Sequence, residues 1–278
     1  MVFVDTATVH DLDDIRRFPL ADDDVLIVGF VKSGTSWLQV MITQLFDELN
    51  TCGGELRKVP SLHARKGVEG RYYAFADALA LAPPRLMKTH LPLQMMPERW
   101  PEHGKVVHIT RNPKDVCVSL FHELRHLSRS APESAIVVRE FDDYFEKFMA
   151  HQVPWAPILD HILDWESFDH PNLLKLTYED ARKNTRRALE QVGEFLDRPA
   201  ANERIDEVVR ATEFNAMKSS EVRHHINHPD IRDDADTPFM RKGVVGDWIN
   251  WLSAAQNERF DREIVQPLEQ QGISLTYA

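Results

Sequence analysis

Residues 25–37 read VLIVGFVKSGTSW, and this stretch decides the fold. Val25–Phe30 is a short apolar run rich in β-branched residues, which predicts a buried strand. From Thr35 to Leu49 the pattern becomes that of an amphipathic helix. Lys32, Ser33, Gly34, Thr35 and Ser36 therefore occupy the turn where a strand feeds a helix. The first backbone N–H groups of a helix have no intrahelical partner and point outward, so such a turn can cradle a phosphate or sulfate group. Gly34 lets the backbone approach the anion closely. Lys32 adds a point charge and the hydroxyls add donors. This is not the GxxxxGK[ST] loop of nucleoside triphosphatases: the upstream glycine is missing, with Ile27 and Val28 in that region, and Lys32 precedes Gly34.

Two further segments extend the pattern. Residues 106–119, VVHITRNPKDVCVS, read as a second strand, then Arg111, then Asn112–Pro113 opening a helix, where proline suits a first turn. Residues 239–248, FMRKGVVGDW, place two cations, Arg241 and Lys242, and two glycines, Gly243 and Gly246, in one loop. The chain thus offers separate anion grips: Lys32 with its loop, Arg111 with Ser119, and Arg241 with Lys242. A nucleotide phosphorylated at two different positions would use all of them.

Strands are expected at Val25–Phe30, Arg85–Thr89, Lys105–Thr110 and Leu173–Thr177. Helices are expected at Thr35–Leu49, Pro113–Ser128, Phe141–Ala150, Trp155–Trp165, Glu179–Leu196, Asn202–Ala211 and Ala254–Gln271. Strands separated by helices predict an α/β fold with a central parallel sheet and right-handed crossovers. Ligands of such sheets bind beyond the carboxyl ends of the strands. Lys32, Lys88–His90, Arg111 and Tyr178 each follow an expected strand, so all should meet on one edge. Thr51–Ala80 and Glu221–Asp236 read as irregular and polar, candidate lids over an acceptor pocket.

The 278 residues contain no linker rich in Pro, Gly or Ser, no repeat and no low-complexity tract, so one domain is the expectation over two. The net charge of −11, with scattered acids, argues against a general nucleic-acid surface and against polyanionic acceptors. No basic start followed by an apolar run suggests a signal peptide, and no stretch has the length of a membrane span. The two cysteines, Cys52 and Cys117, do not suggest a disulfide framework. Together these features point to the cytoplasm and to no membrane partner.

The landmarks FVKSGTSW, LMKTHLPLQMMP, RNPKDVCVS, LTYEDARKN, FMRKGVVGDW and AQNERFD, spread from Asp24 to Asp261, resemble those of the cytosolic sulfotransferases and stand in the same order. The resemblance implies the nucleotide-binding fold of that family, related to phosphate-loop proteins, and transfer of a sulfonate group from 3′-phosphoadenosine 5′-phosphosulfate (PAPS) to a small hydroxyl or amine acceptor. The product nucleotide is then 3′-phosphoadenosine 5′-phosphate (PAP), and no metal is used. It implies His90 as general base, with Lys88 and Lys32 stabilising charge on the transferring group. A histidine near its ordinary pKa can take the proton of an attacking hydroxyl at neutral pH. Ser119 would contact the 3′-phosphate and help hold Lys32 away from the sulfonate until acceptor binds. Arg111, Arg241 and Lys242 would complete the 3′-phosphate site, with Gly243 adding a backbone donor and Met240 beside it. Trp37, Tyr178, Thr212 and Phe214 match the family's adenine surroundings, where aromatic stacking is the physical basis.

Some positions depart from the family. Val31 stands for the usual proline, and Ser36 for a threonine. Ile249, Ser253 and Ala254 replace the lysine, threonine and valine of the family's dimer segment, while Glu258 remains. A monomer, or a dimer through another surface offered by exposed Ile249 and Trp251, is therefore expected. Glu123 stands where many phenol-sulfating relatives have phenylalanine. Facing the pocket, it would favour a polar or cationic acceptor, since an unpaired buried carboxylate is costly. His224, His225 and His228 could ligate a metal, but no matching motif supports this. His108, His122, His126 and the acidic run Asp22–Asp24 read as packed or solvated. The competing functions are phosphoryl transfer from a nucleoside triphosphate, which normally needs magnesium held by a carboxylate, and a non-catalytic nucleotide-binding module.

Overall fold

Four short apolar runs build the centre of the molecule, a computed structural model that describes residues 11–49, 59–64, 75–130, 137–219 and 241–278. They are β1 (Val25–Val28), β2 (Leu86–Thr89), β3 (Lys105–Thr110) and β4 (Leu173–Thr177). All pairs are parallel, in the order β2-β1-β3-β4, with Val25 opposite both Leu86 and Lys105, and Val106 opposite Leu173. The described α-helices are α1 (Leu12–Arg16), α2 (Thr35–Leu45), α3 (Phe75–Ala80), α4 (Pro113–Ser130), α5 (Phe141–Met149), α6 (Ile158–Ser167), α7 (Tyr178–Lys183), α8 (Thr185–Phe195), α9 (Asn202–Ala211), α10 (Phe214–Ser219), α11 (Ala254–Phe260) and α12 (Gln266–Gln270).

Alternation along the strands sends side chains to two cores, one on each face of the sheet. Leu26, Val28 and Val106 join Phe121, Tyr144, Phe145 and Trp165 of α4, α5 and α6. Val25, Ile27, Val107 and Ile109 join Leu38, Leu189 and Val208 of α2, α8 and α9. The result is the expected α/β architecture, a parallel sheet flanked by helices. At the opposite end to the site, Asp24 and Arg85 form a buried ion pair in which Arg85 Nε donates to Asp24 Oδ1 at 3.0 Å. The acidic run therefore includes a structural anchor. Among the described residues no helix is long and apolar enough to cross a membrane.

Several boundaries differ from expectation. β1 stops at Val28 because Gly29 crosses close over β3, where a Cβ would stand 2.5 Å from Ile109 O. Phe30 leaves the sheet yet stays buried. The helix expected to reach Leu49 ends at Leu45, and a 3₁₀ turn covers Asp47–Leu49. The single helix 179–196 is two, because Asn184 leaves helical geometry and its side chain accepts from Arg187 N–H to cap α8. The helix from 254 to 271 passes through a π-helical segment at Asp261–Val265, where Pro267 has no N–H to give to the carbonyl four residues back. The helix expected from Trp155 starts at Ile158, since Pro157 disfavours helical geometry in the residue before it.

The stretch Thr51–Ala80 is not irregular throughout: it contains α3, and Ser61 forms a parallel bridge to Lys88. Glu221–Asp236, with His224, His225 and His228, lies outside the described residues. Trp251, expected to be exposed, instead packs on Phe121, His122 and Phe141, while Ile249 is 59% exposed.

Candidate active site

The parallel register brings the carboxyl ends of β1 to β4 to one edge, with Lys32, Lys88–His90, Arg111 and Tyr178 following them. The β1–α2 turn has the geometry an anion requires. Lys32 and Gly34 both have positive φ, at 67° and 105°. Gly34 caps α2 without any side-chain cap bond, so the first N–H groups of the helix remain available. Only glycine fits, because a Cβ would stand 2.7 Å from Tyr178 Cδ2. Ser33 and Thr35 are buried in this turn, and Ser36 is partly exposed.

Arg111 ties the turn to the rest of the site. Its Nη1 donates to Lys32 O at 3.1 Å, Nη2 donates to Val244 O at 3.4 Å, and the guanidinium lies 4.4 Å from the Tyr178 ring centroid. Among the described residues its buried Nε has no hydrogen-bond partner, and it is a donor that a phosphate oxygen would satisfy. Trp37 meets Tyr178 edge-on at 5.6 Å and donates from Nε1 to Thr212 O at 3.1 Å. Thr212 is buried and its hydroxyl donates to Val208 O at 2.7 Å, so it holds Trp37 by its backbone. Phe214 packs against Gly243, where a Cβ would stand 2.3 Å from the ring, and Gly243 has a φ of 63°. Arg241 and Lys242 both pair with Asp247, at 2.5 and 2.7 Å. Burial pushes the Asp247 carboxyl up, but bonds from Lys242, Arg241 and Asn250 outweigh it and hold it below its ordinary value. Met240 lies outside the described residues.

Sequence reasoning missed what fixes this loop. Asn112 Oδ1 accepts from Lys114 and Asp115 N–H at 2.9 and 3.0 Å, capping α4. Asp115 then accepts from Gly246 and Trp248 N–H at 2.8 and 3.1 Å. The spacing Asn-Pro-x-Asp is a cap signature that could have marked Asn112. The role of Asp115, over a hundred residues from its partners, leaves no local trace.

At the β2 end, His90 Nδ1 lies 2.7 Å from Gly29 O. A carbonyl only accepts, so Nδ1 carries the proton and Nε2 keeps its lone pair. Burial pushes the imidazole down to about 4; the Gly29 bond opposes this, while Lys88 and Lys32 add to it. The ring is thus neutral throughout the physiological range, and its readiness to accept a proton comes from a fixed tautomer, not from an ordinary pKa. Burial lowers Lys88 to about 8 against the pull of Glu123, leaving it largely cationic at neutral pH. Lys32 Nζ lies 3.2 Å from Glu123 Oε1, with the two side chains 14% and 24% exposed. Glu123 therefore does face the site, and it is paired. Arg111, Asp115, Ser119 and Glu123 follow at four-residue spacing, which sets Ser119 one helical turn before Glu123 on the same face of α4.

His63 joins this group from the stretch Ser61–Ala64. Its ring is 5.3 Å from His90 and 4.6 Å edge-on from Trp155. Only the parallel bridge to β2 puts it there, so sequence pattern gave no signal. Among the described residues no group of three or more His, Cys, Asp or Glu could hold a metal ion.

A family model described as "Sulfotransferase domain" matches residues 22–272. Sulfotransferase 1E1 of cattle (Bos taurus) is 32% identical over 274 residues, 94% of this chain and 88% of that protein. The crystal structure of mouse sulfotransferase SULT7A1 complexed with PAP superposes with a TM-score of 0.73 at 28% identity, covering 93% of this chain and 89% of that one. Retinol dehydratase, solved with androsterone and PAP, shares the fold with a TM-score of 0.77 at 23% identity, covering 95% and 85% of the two chains.

Proposed function

The chain belongs to the sulfotransferase family and is a PAPS-dependent sulfotransferase; from that premise we propose that it moves the sulfonate to a hydroxyl or amine of a small molecule with His90 as general base. The observation that carries this reading is the 2.7 Å contact of His90 Nδ1 with Gly29 O, which leaves Nε2 as a lone pair at the strand edge. The acceptor's proton passes to Nε2 as its oxygen or nitrogen bonds to sulfur. The bond from sulfur to the bridging oxygen breaks, and PAP leaves with the electron pair. Lys32 and Lys88 are suited to stabilise charge on the bridging and equatorial oxygens, which is worth most in a water-poor site.

Ser33, Gly34, Thr35 and Ser36 would hold the 5′-phosphate through backbone N–H groups and hydroxyls. Arg111, Ser119, Arg241, Lys242 and Gly243 would hold the 3′-phosphate, with Met240 alongside. The orphaned Arg111 Nε supports this assignment. Trp37, Tyr178, Thr212 and Phe214 would frame the adenine. The whole chain reads as one domain acting in the cytoplasm without a metal. It would be a monomer or a dimer through a surface other than the family's, a reading supported by the exposed, uncharged Ile249.

The test is transfer of label from ³⁵S-PAPS to a panel of phenols, steroids, aliphatic alcohols and arylamines. Wild type should form a labelled ester or sulfamate. His90→Ala should form none, while binding PAP within about twofold of wild type. Turnover by His90→Ala within a few-fold of wild type would remove His90 from the role of base.

A further inference from the structure

His63 is fixed by backbone and side chain alike. Leu62 N–H donates to Lys88 O at 2.9 Å and Lys88 N–H donates to Pro60 O at 2.9 Å, so an isolated parallel bridge holds the stretch beside β2. The Nδ1 of His63 faces two donors, the His90 N–H at 3.4 Å and the Thr89 hydroxyl at 3.2 Å. A backbone N–H can only donate, so Nδ1 keeps its lone pair and the ring proton sits on Nε2. Burial, then the neighbouring His90 and Lys88, hold the imidazole well below its ordinary pKa, so the ring is neutral.

The two rings therefore carry opposite tautomers. His90 presents a lone pair at Nε2, and His63 presents an N–H at Nε2. Their centroids are 5.3 Å apart, and both rings stand edge-on to Trp155, at 4.6 Å for His63 and 5.6 Å for His90. Both side chains are partly exposed, and the hydrogen bonds given for both rings among the described residues run through Nδ1.

We propose that His63 Nε2–H donates a hydrogen bond to the nucleophilic atom of the acceptor while His90 Nε2 takes its proton, and that this pair selects a hydroxyl over an amine. The inference rests on the sulfonate-transfer reading above and narrows it. A hydroxyl oxygen has one proton and two lone pairs. The proton goes to His90, one lone pair accepts from His63, and the other attacks sulfur. The oxygen–sulfur bond forms as the bridging sulfur–oxygen bond breaks; the products are a sulfate ester and PAP, and His63 keeps its proton. A neutral amine has a single lone pair, which sulfur must take, so the His63 donor would be left unpaired. Unpaired polar groups in a closed site are the strongest source of discrimination between near-isosteric substrates.

The test compares 1-naphthol with 1-naphthylamine as acceptors of ³⁵S-sulfonate, in wild type and two variants. His63→Asn keeps an acceptor near the Nδ1 position for the His90 N–H and removes the donor. His63→Gln restores a donor near the Nε2 position. Wild type should favour the naphthol. His63→Asn should lose about 10- to 100-fold in kcat/KM for naphthol and change within about threefold for the amine, the expected size for one such bond. His63→Gln should recover most of the naphthol activity. PAP affinity, read by calorimetry, should stay unchanged in both variants and confirms that they are folded. A purely structural role predicts the reverse, with His63→Asn active and His63→Gln impaired equally toward both acceptors. That pattern, or a wild type that prefers the amine, overturns the inference. Failure of wild type to label any acceptor of the wider panel overturns the transfer reading beneath it.

Discussion

If Lys32 meets the sulfonate as proposed, Glu123 sets a carboxylate beside it, and replacing Glu123 should tighten PAPS more than PAP. Its Oε1 lies 3.2 Å from Lys32 Nζ, with the two side chains 24% and 14% exposed. A Lys32 that also touches the sulfonate at a normal contact distance sets the two anions no more than about 6 Å apart. Two unit charges at about 6 Å repel by about 0.7 kcal/mol at the dielectric of water and by about 2.8 kcal/mol at an effective value of about 20. The partial exposure of both side chains puts the pair between these limits. Glu123→Gln preserves shape and removes the charge. PAPS affinity should rise about 3- to 100-fold relative to PAP, which lacks the sulfonate. Titration calorimetry with PAP, and displacement of PAP by PAPS without acceptor, give the ratio. An equal change for both nucleotides, or a relative loss of PAPS, would show that Glu123 does not face the sulfonate.

Arg241→Ala should weaken PAP by about 10- to 100-fold, about 1.5–3 kcal/mol for a charge-assisted bond, while 5′-AMP binding changes little; equal loss for both in calorimetry would assign the loop another purpose. The profile of kcat/KM, which reports the free enzyme, should rise with pH through about 4 as His90 becomes neutral and fall through about 8 as Lys88 loses its proton. A flat profile up to pH 10 would remove the Lys88 charge from the reaction. Gly34→Ala combines a left-handed φ of 105° with a Cβ 2.7 Å from the Tyr178 ring. It should cost about 1–3 kcal/mol in urea unfolding and abolish PAP binding; wild-type stability and affinity would show that the turn relaxes freely.

The sheet and its active edge were legible because they depend on local pattern. Four short runs rich in aliphatic residues, followed by Lys32, His90, Arg111 and Tyr178, suffice to bring these side chains to one edge once the strands are parallel. Helix interruptions were not legible where a side chain competes with the backbone: Asn184 reads as an ordinary helix residue until it caps α8. Trp251 counted as surface because its partners, Phe121 and Phe141, sit in distant helices. Asp115 and His63 were missed for the same reason, since their roles exist only through contacts far away in sequence. The His90 tautomer was beyond reach as well, because it depends on the Gly29 carbonyl of another strand end.

The four-residue stripe on α4 also acts as a ruler. Its foot is fixed at the nucleotide end, where Asp115 accepts from Gly246 and Trp248. Its far mark, Glu123, meets Lys32 at the transfer end. Eight helical residues separate the two, about 12 Å at 1.5 Å per residue. On the proposed reading, the gap between gripping one end of the nucleotide and acting on the other is therefore written in helix length, which side-chain substitutions cannot alter. Inserting a single residue between Ser119 and Glu123 would turn the far mark by about 100°. Such a chain would keep its grip on the 3′-phosphate and lose the alignment of Glu123 with Lys32, separating holding from transferring along one rigid rod.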